Sequence, residues 1–173
     1  QGGPVLAQFT SRDSDLILGY LNQSDVRKLL PSEYRYIRFA WGKPITDSDV
    51  VELYALKSNR DNKAPLSGGV VVDALQTFDQ VGNAAVSMQM DSRGARIWEN
   101  MTGKAFKEAS NIAIVLDNIV YSAPGVSSGA ISGGRSEITG SFTLNEAIDL
   151  ANVLRAGKPV SYTHLTLPTK STV

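Results

Sequence analysis

Few residues in this sequence are of the types that enzymes use as nucleophiles or general bases. The chain has no cysteine, which excludes thiolate catalysis, iron–sulfur clusters and cysteine-ligated zinc. It has a single histidine, His164, the one side chain whose ordinary pKa lies near neutral pH. That histidine lies in a C-terminal segment of unusual composition. We therefore do not expect a Ser-His-Asp triad.

Acidic residues are the remaining candidates for chemistry. Paired carboxylates such as Asp47 and Asp49 are the groups that glycoside hydrolases use. Seventeen acids in 173 residues produce pairs by chance, however, and this pair is typical of a loop. A metal site built from Asp91, Asp117 and Glu137 stays open, although the spacing of a calcium loop is absent. We expect no catalytic residue, no metal and no cofactor, and hence a protein that is not an enzyme.

Composition narrows the classes of partner. The 17 basic and 17 acidic residues give a net charge of zero, which argues against a nucleic-acid-binding face. The longest purely apolar run is Ile112–Leu116, far below the roughly 20 residues of a membrane-spanning helix. A chain of this length is expected to form one domain or two small ones.

The hydrophobic patterns predict an α+β fold, with a mainly antiparallel sheet and helices packed on one face. Two tight hairpins favour antiparallel pairing: one spans 73–90, and the other turns at Asp117-Asn118, a pair typical of primed turns. Ser92 is predicted to cap one helix, and Thr143 with Glu146 forms a capping box for another. Further predicted strands are Val5–Phe9, Arg35–Trp41 and Val50–Lys57, and further predicted helices are Asp13–Leu21 and Asp25–Leu30.

The chain is predicted to divide into parts. Residues 1–58 form an N-terminal region, residues 59–65 (NRDNKAP) a linker, and residues 66–159 an α+β subdomain. Residues 160–173 have no clear strand partner and resemble a transposase adapter from sequencing-library preparation translated in one frame. We interpret them as a non-native tail and exclude them from reasoning about the fold.

Several sequence runs resemble one family. Ile112–Ser122 followed by Ala-Pro, then Ser132–Gly140 and Phe142–Gly157, are similar to the end of the first large periplasmic domain of SecD, a component of the bacterial Sec translocase. Ile37–Gly42 resembles the variant found in Bacteroidetes-type SecDF fusions. The family motif is carried by Asp117, Gly134, Ile138, Thr139, Gly140, Phe142, Thr143, Glu146, Ala147, Leu150, Leu154 and Gly157.

The resemblance implies a function as well as a fold. Residues 66–159 would be a periplasmic head and residues 1–58 a base-like or family-variable region, in an inner-membrane protein. That protein would bind unfolded secretory preproteins and assist export driven by the proton motive force. Its implied partners are SecF and the SecYEG channel, with no nucleic acid and with membrane contact only through transmembrane helices outside this sequence.

The uncharged segment Gly125–Gly134 lacks the features of a phosphate-binding loop. Two interpretations stay open. The segment is a flexible connection between strands, or it is a hinge beside a polypeptide-binding site. On the second interpretation, the predicted polypeptide-binding residues are Gly125, Val126, Ile131, Gly133, Gly134 and Arg135. Two other functions stay open: a related proton-driven exporter of small molecules or lipids, which an internal apolar pocket would favour, and a metal-assisted hydrolase.

The interpretation of the tail can be tested at the gene. Resequencing across codon 159 from unfragmented genomic DNA is expected to show Leu-Pro followed soon by about 20 apolar residues, the length of a spanning helix. Codons for VSYTHLTLPT followed by a stop would show the adapter interpretation to be wrong.

Overall fold

The computed structural model describes residues 3–45, 48–58, 60–61, 63–156 and the backbone of 163–166. It confirms an α+β fold with mainly antiparallel pairing. In chain order the elements are β1 (Val5–Thr10), α1 (Ser14–Leu21), α2 (Ser24–Lys28), β2 (Ile37–Gly42), β3 (Val50–Lys57), β4 (Val71–Phe78), β5 (Ala84–Met90), α3 (Ser92–Lys107), β6 (Asn111–Leu116), β7 (Ile119–Ser122), β8 (Arg135–Phe142), α4 (Leu144–Arg155) and β9 (Thr163–Thr166).

The first sheet closes on itself. Its order is β1-β3-β2-β7-β6-β9, and β9 also pairs with β3 at Leu56 and Lys57. Since β9 pairs with both β6 and β3, the strands β3, β2, β7, β6 and β9 form a closed ring. Strand β1 pairs with an earlier part of the edge of β3 that β9 also uses. A small apolar cluster from four of these strands lies within it: Ala40, Tyr54, Leu56, Ala113, Val115 and Val120.

The second sheet has the order β4-β5-β8, all antiparallel. Helix α4 packs on β4 and β5, and α3 contacts β5 and β6. Their apolar sides meet in the larger core, which includes Met88, Trp98, Met101, Ile138, Ala147, Leu150 and Leu154. Helix α3 contributes Trp98, Met101 and Ala105 to this core, whereas Leu144 and Ile148 on α4 are exposed.

The one parallel pairing joins the two predicted regions of the chain. Trp41 and Gly42 of β2 lie opposite Ile119 and Val120 of β7, so the sheet of residues 1–58 continues into residues 111–122. Residues 59 and 62 of the predicted linker lie outside the described residues. The division into 1–58, 59–65 and 66–159 stays a prediction.

Local signals set the ends of several elements. The Thr143 side chain accepts a hydrogen bond from Glu146 N, and the Glu146 side chain accepts one from Thr143 N, which confirms the predicted capping box. Asp117 and Asn118 have φ of 49° and 69°, as a primed turn requires. Helix α3 differs from expectation: Asp91 is its N-cap and accepts from Gly94 N at 2.7 Å. Ser92, predicted as the cap, is the first helical residue.

Two features differ from the sequence interpretation. Residues Arg135–Phe142 form strand β8, although no strand was predicted there from the sequence. Residues 163–166 pair with both β6 and β3, so the expectation that the tail lacks a strand partner is wrong. The pairing is made by backbone N–H and C=O groups, which do not depend on the identity of the side chains. The non-native origin of 160–173 stays a prediction.

The β4–β5 hairpin makes stability depend on pH. Hydrogen bonds from the backbone N–H groups of Asn83 and Val81, at 2.8 and 2.9 Å, lower the pKa of Asp79 below its ordinary 3.8. Its contribution is therefore complete above pH 3.8 and disappears as the pH falls through the lower folded value. We expect Asp79→Ala to lower the melting temperature at about pH 6 and to have progressively less effect towards about pH 2.

Thermal unfolding followed by circular dichroism across that range measures this effect. The control is Asp61→Ala, at an exposed position of the connection between β3 and β4. A difference between wild type and Asp79→Ala that stays constant with pH would contradict the assignment.

Candidate functional site

Two neighbouring cavities lie along one side of strand β8. The loop cavity, about 460 Å³, lies between β8, helix α3 and the Gly125–Gly134 segment. The cap cavity, about 510 Å³, lies between the end of β8, the start of α4 and strands of the first sheet. Pro124 and Thr139 line both, so the two cavities adjoin along β8, and we call them together the β8 groove.

The loop cavity is walled by a segment that is fastened to α3. The backbone N–H of Ile131 donates to the Thr102 hydroxyl at 2.8 Å, and that hydroxyl donates to the Trp98 carbonyl at 2.8 Å. A Cβ on Gly103 would lie 3.2 Å from Ala130 Cβ, so the loop rests directly on the helix. Since Thr102 is fully buried, both of its hydrogen bonds are shielded from water.

Trp98 adds an unused donor beneath the same cavity. Its side chain is 4% exposed and lines the cavity. Its indole Nε1 has no hydrogen-bond partner among the described residues. Buried indole N–H groups usually find a partner, so this donor is an exception to the satisfied polar groups of the core.

The structure brings four of the six predicted polypeptide-binding residues to this cavity: Gly125, Val126, Ile131 and Arg135. Gly133 and Gly134 do not line it. Both have left-handed φ, 82° and 74°, and a Cβ on Gly134 would lie 2.9 Å from Ala95 Cβ. The carbonyl of Gly134 accepts from Met90 N at 2.7 Å, so these glycines shape the entry into β8.

The cap cavity contains the polar groups that sequence reasoning missed. Lys43 forms an ion pair with Glu146 of the α4 capping box. Burial lowers the pKa of Lys43, and the nearby Asp149 carboxylate acts in the opposite direction. The Tyr54 hydroxyl donates to Glu52 Oε2 at 2.8 Å; burial, and then this bond and the Glu52 charge, raise the pKa of Tyr54. Tyr54 is therefore a neutral donor at physiological pH.

The predicted family motif divides between core and groove. Ile138, Ala147, Leu150 and Leu154 are buried in the larger core. The groove is lined by Thr139, Gly140, Phe142, Thr143 and Glu146. Asp117 lies in the β6–β7 turn. Gly157, the last motif residue, lies outside the described residues.

The described acidic residues do not form a group of metal ligands. Within the described part of the chain, no group of three or more His, Asp or Glu side chains is placed to hold a metal ion. Asp91 caps α3, Asp117 lies in a turn and Glu137 lies on β8. Asp47 and the side chain of His164 lie outside the described residues. Asp49 accepts a hydrogen bond from the Ser11 hydroxyl.

Comparison with known proteins identifies the family. The family model described as "SecDF, P1 head subdomain" matches residues 48–158. This chain belongs to the SecDF P1 head family. The protein translocase subunit SecD of Rhodothermus marinus is 39% identical over 156 residues, which is 90% of this chain and 24% of that protein. SecD of Magnetococcus marinus is 48% identical over 92 residues, 53% of this chain and 17% of that protein.

A solved structure agrees on the fold. The crystal structure of SecDF in its super-membrane-facing form superposes with a TM-score of 0.51 at 27% identity, over 95% of this chain and 19% of that one. The chain thus spans about a quarter or less of the length of these SecD relatives. Among the described helices, none combines the length and the apolar character needed to cross a membrane.

The loop anchor can be tested by one substitution. Thr102→Val keeps the shape but leaves Ile131 N without its acceptor, so we expect the free energy of unfolding to fall by about 1 kcal/mol. Amide exchange at Ile131 is expected to accelerate, as measured by NMR. Thr77→Val, on strand β4, is the control and is expected to change neither quantity. Unchanged exchange at Ile131 in Thr102→Val would show that the hydroxyl does not fasten the loop.

Proposed function

We propose that this chain is the periplasmic part of a SecD-type translocase subunit that binds unfolded secretory preproteins in the β8 groove. In the intact inner-membrane protein, this binding would assist export driven by the proton motive force, together with SecF and the SecYEG channel. The observation that carries the proposal is the pair of adjoining cavities along β8 in a member of the SecDF P1 head family. Membership of the family supports the role in translocation.

The chemistry of the groove suits varied polypeptides. The wall formed by residues 123–128 contains only Ala, Pro, Gly, Val and Ser, so it presents no charge to select a particular sequence. Arg135 and Glu137 on the facing strand have opposite charges, and Lys43 is paired with Glu146. A site of this kind recognises shape and backbone more than side-chain identity.

The alternative of an exporter for small molecules or lipids has less support. Such a function favours an apolar pocket inside the domain, large enough for the cargo. The apolar cavity between Leu66, Met88 and Leu154 in the larger core encloses only about 20 Å³. That is room for about one water molecule. The open groove, and not this void, is the place where a ligand would fit.

Binding of an unfolded chain tests the proposal. The probe is fluorescein-labelled, reduced and carboxymethylated lactalbumin, which cannot refold, and the readout is fluorescence anisotropy. Ser128→Trp places a large ring at the lining of the loop cavity. We expect it to weaken binding about tenfold, equivalent to about 1.4 kcal/mol.

The matched control is Ser132→Trp, an exposed position in the same loop that does not line the cavity. It is expected to bind like the wild type. No binding by the wild-type chain, or equal losses in both variants, would refute the proposed site.

A further inference from the structure

Strand β4 forms an edge of the second sheet. It pairs with β5 on one side, and in the part of the chain that the structure describes no strand pairs with its other side. Proteins usually protect such edges with lysine, proline, a bulge or a very short strand. Strand β4 has eight residues, contains neither lysine nor proline, and has one bulge near its start, between Val71 and Asp73. Its regular part, residues 73–78, is therefore an unprotected edge.

The β4–β5 hairpin shows which main-chain groups face outwards. The Asp79 N–H donates to the Asn83 carbonyl at 2.9 Å, so the main chain of Asp79 points towards β5. Main-chain groups point alternately to the two sides of a strand, and the register of residues 73–78 is regular. The N–H and C=O groups of Phe78, Gln76 and Ala74 therefore point away from β5.

A contact at the far end of β5 gives the same assignment. The Met90 N–H donates to the Gly134 carbonyl at 2.7 Å, on the side of β8. The next residue, Gln89, therefore faces β4, where it lies opposite Asp73. Residues 73, 75 and 77 are thus the ones bonded to β5. Among the described residues, no loop or side chain forms a hydrogen bond with the outward main-chain groups of residues 74, 76 and 78.

Helix α4 places an apolar flank beside this edge. It packs on β4 and β5, and its Glu146 is paired with Lys43 of the first sheet region, which adjoins β8. Leu144 and Ile148 each lie two residues from Glu146, about 200° around the helix. They therefore lie on the side of α4 that is away from β8, above the outer edge of β4. Both are exposed, by 47% and 39%.

Phe78 extends the apolar flank at one end of the edge. It pairs with Ala84, which pairs with Phe142, so these residues form one row across the three strands. Helix α4 begins at Leu144, two residues after Phe142, and hence at the same end of the sheet. Phe78 is 58% exposed and shares the face of β4 that carries the buried Ala74. We call the outward groups of residues 74–78, with the side chains of Phe78, Leu144 and Ile148, the β4 site.

The charges of the edge distinguish two possible occupants. From residue 71 to residue 83 the only charged residues are Asp73 and Asp79. Antiparallel pairing of two copies of the chain about Gln76 would place Asp73 of each copy opposite Asp79 of the other. Like charges directly opposite each other destabilise a strand pair. A neutral or basic segment in extended conformation meets no such repulsion.

We propose that the β4 site binds an extended polypeptide segment free of acidic residues, which adds a strand to the outer edge of β4. Main-chain hydrogen bonds supply affinity for many sequences, and every second side chain of the segment packs on the apolar flank of α4. The inference goes beyond the proposed function, because it adds a second polypeptide site on the opposite edge of the sheet from the β8 groove.

Backbone methylation of a peptide tests the pairing. The probe is a fluorescein-labelled decapeptide of Thr, Val and Ser, N-methylated at odd or at even positions, and the readout is fluorescence anisotropy. The protein is Ser128→Trp, in which the β8 groove is obstructed. Because an added strand uses every second N–H, we expect one methylated set to bind about tenfold more weakly and the other within about twofold of the parent. Equal effects of both sets, or no effect of either, would overturn the proposal.

A substitution in β4 tests the same bonds from the side of the protein. Gln76→Pro removes an outward N–H that β5 does not use, and edge strands tolerate proline at such positions. Gln76→Ala is the control, because it keeps this N–H. We expect Gln76→Pro to weaken binding of the decapeptide about tenfold and Gln76→Ala to leave it within about twofold, with the fold checked by circular dichroism. Equal binding by the two variants would contradict strand addition.

The flank of α4 gives a test that leaves β4 unchanged. Ile148→Asp places a charge in the β4 site, and Asn145→Asp places the same charge at an exposed position of α4 outside it. We expect only Ile148→Asp to weaken binding. If Gln76→Pro does not fold, the methylated peptides and this pair of variants decide.

The outcomes separate this inference from the proposed function. Loss of lactalbumin binding in Ser128→Trp, together with decapeptide binding that is insensitive to methylation and to Gln76→Pro, would leave the β8 groove alone and overturn the β4 site. Lactalbumin binding that Gln76→Pro weakens and Ser128→Trp does not would support the β4 site and refute the β8 groove. Dimers in analytical ultracentrifugation that Gln76→Pro dissolves would show β4 pairing with a second copy, and would overturn the inference.

Discussion

Strand β6 is buried on both faces, and the arrangement of both sheets follows from it. Ile112, Ile114 and Leu116 belong to the larger core with α3 and α4, whereas Ala113 and Val115 belong to the cluster inside the ring. Successive side chains of a strand point to opposite faces, so five consecutive apolar residues serve two cores at once. A register shift of one residue would place the large side chains in the small cluster. The two sheets are held together by this alternation, in addition to the parallel β2–β7 pairing.

The same strand fixes one wall of the β8 groove. Asn111 Nδ2 donates to the Ala123 carbonyl at 2.7 Å, and the Ile112 N–H donates to the Pro124 carbonyl at 3.0 Å. Gly125 then forms an isolated bridge with Asn111. The opposite wall, β8, is held through β5 to the core. The groove is thus bounded by two segments, each of which is anchored to the core.

Sequence reasoning succeeded where structure is determined locally. Strand β3, with its alternating residues, and the box formed by Thr143 and Glu146 were predicted with the observed bounds, because each depends on neighbours within a few residues. Strand β8 was missed because an edge strand with one buried face needs few apolar residues, and here Ile138 is the only large one before Phe142. Asp91 and Ser92 are both good N-caps, and the sequence alone does not choose between them.

The groove could be predicted only in part, for a physical reason. The segment at Gly125–Gly134 stood out by composition, and three of its predicted residues line the loop cavity together with Arg135. The cap cavity depends on Lys43 and Glu146, which are 103 residues apart, and no local pattern links them. Trp98 belongs to the larger core, and the missing partner of its N–H emerges only from the packed structure.

Glu146 connects the groove to the rest of the fold through two separate oxygen atoms. One accepts from the Thr143 N–H at 2.8 Å and holds the first turn of α4, and the other pairs with Lys43. The backbone N–H of Lys43 in turn donates to the Val120 carbonyl at 3.0 Å, directly beyond the parallel pairing of β2 and β7. An exposed ion pair of this type contributes little, about 0–1 kcal/mol, but this one is partly buried and shares its carboxylate with a helix cap. Displacing β2 from β7 would therefore loosen the start of α4, and α4 follows β8 after a single residue. The end of the groove that β8 forms is accordingly sensitive to the pairing of β2 and β7 in the first sheet.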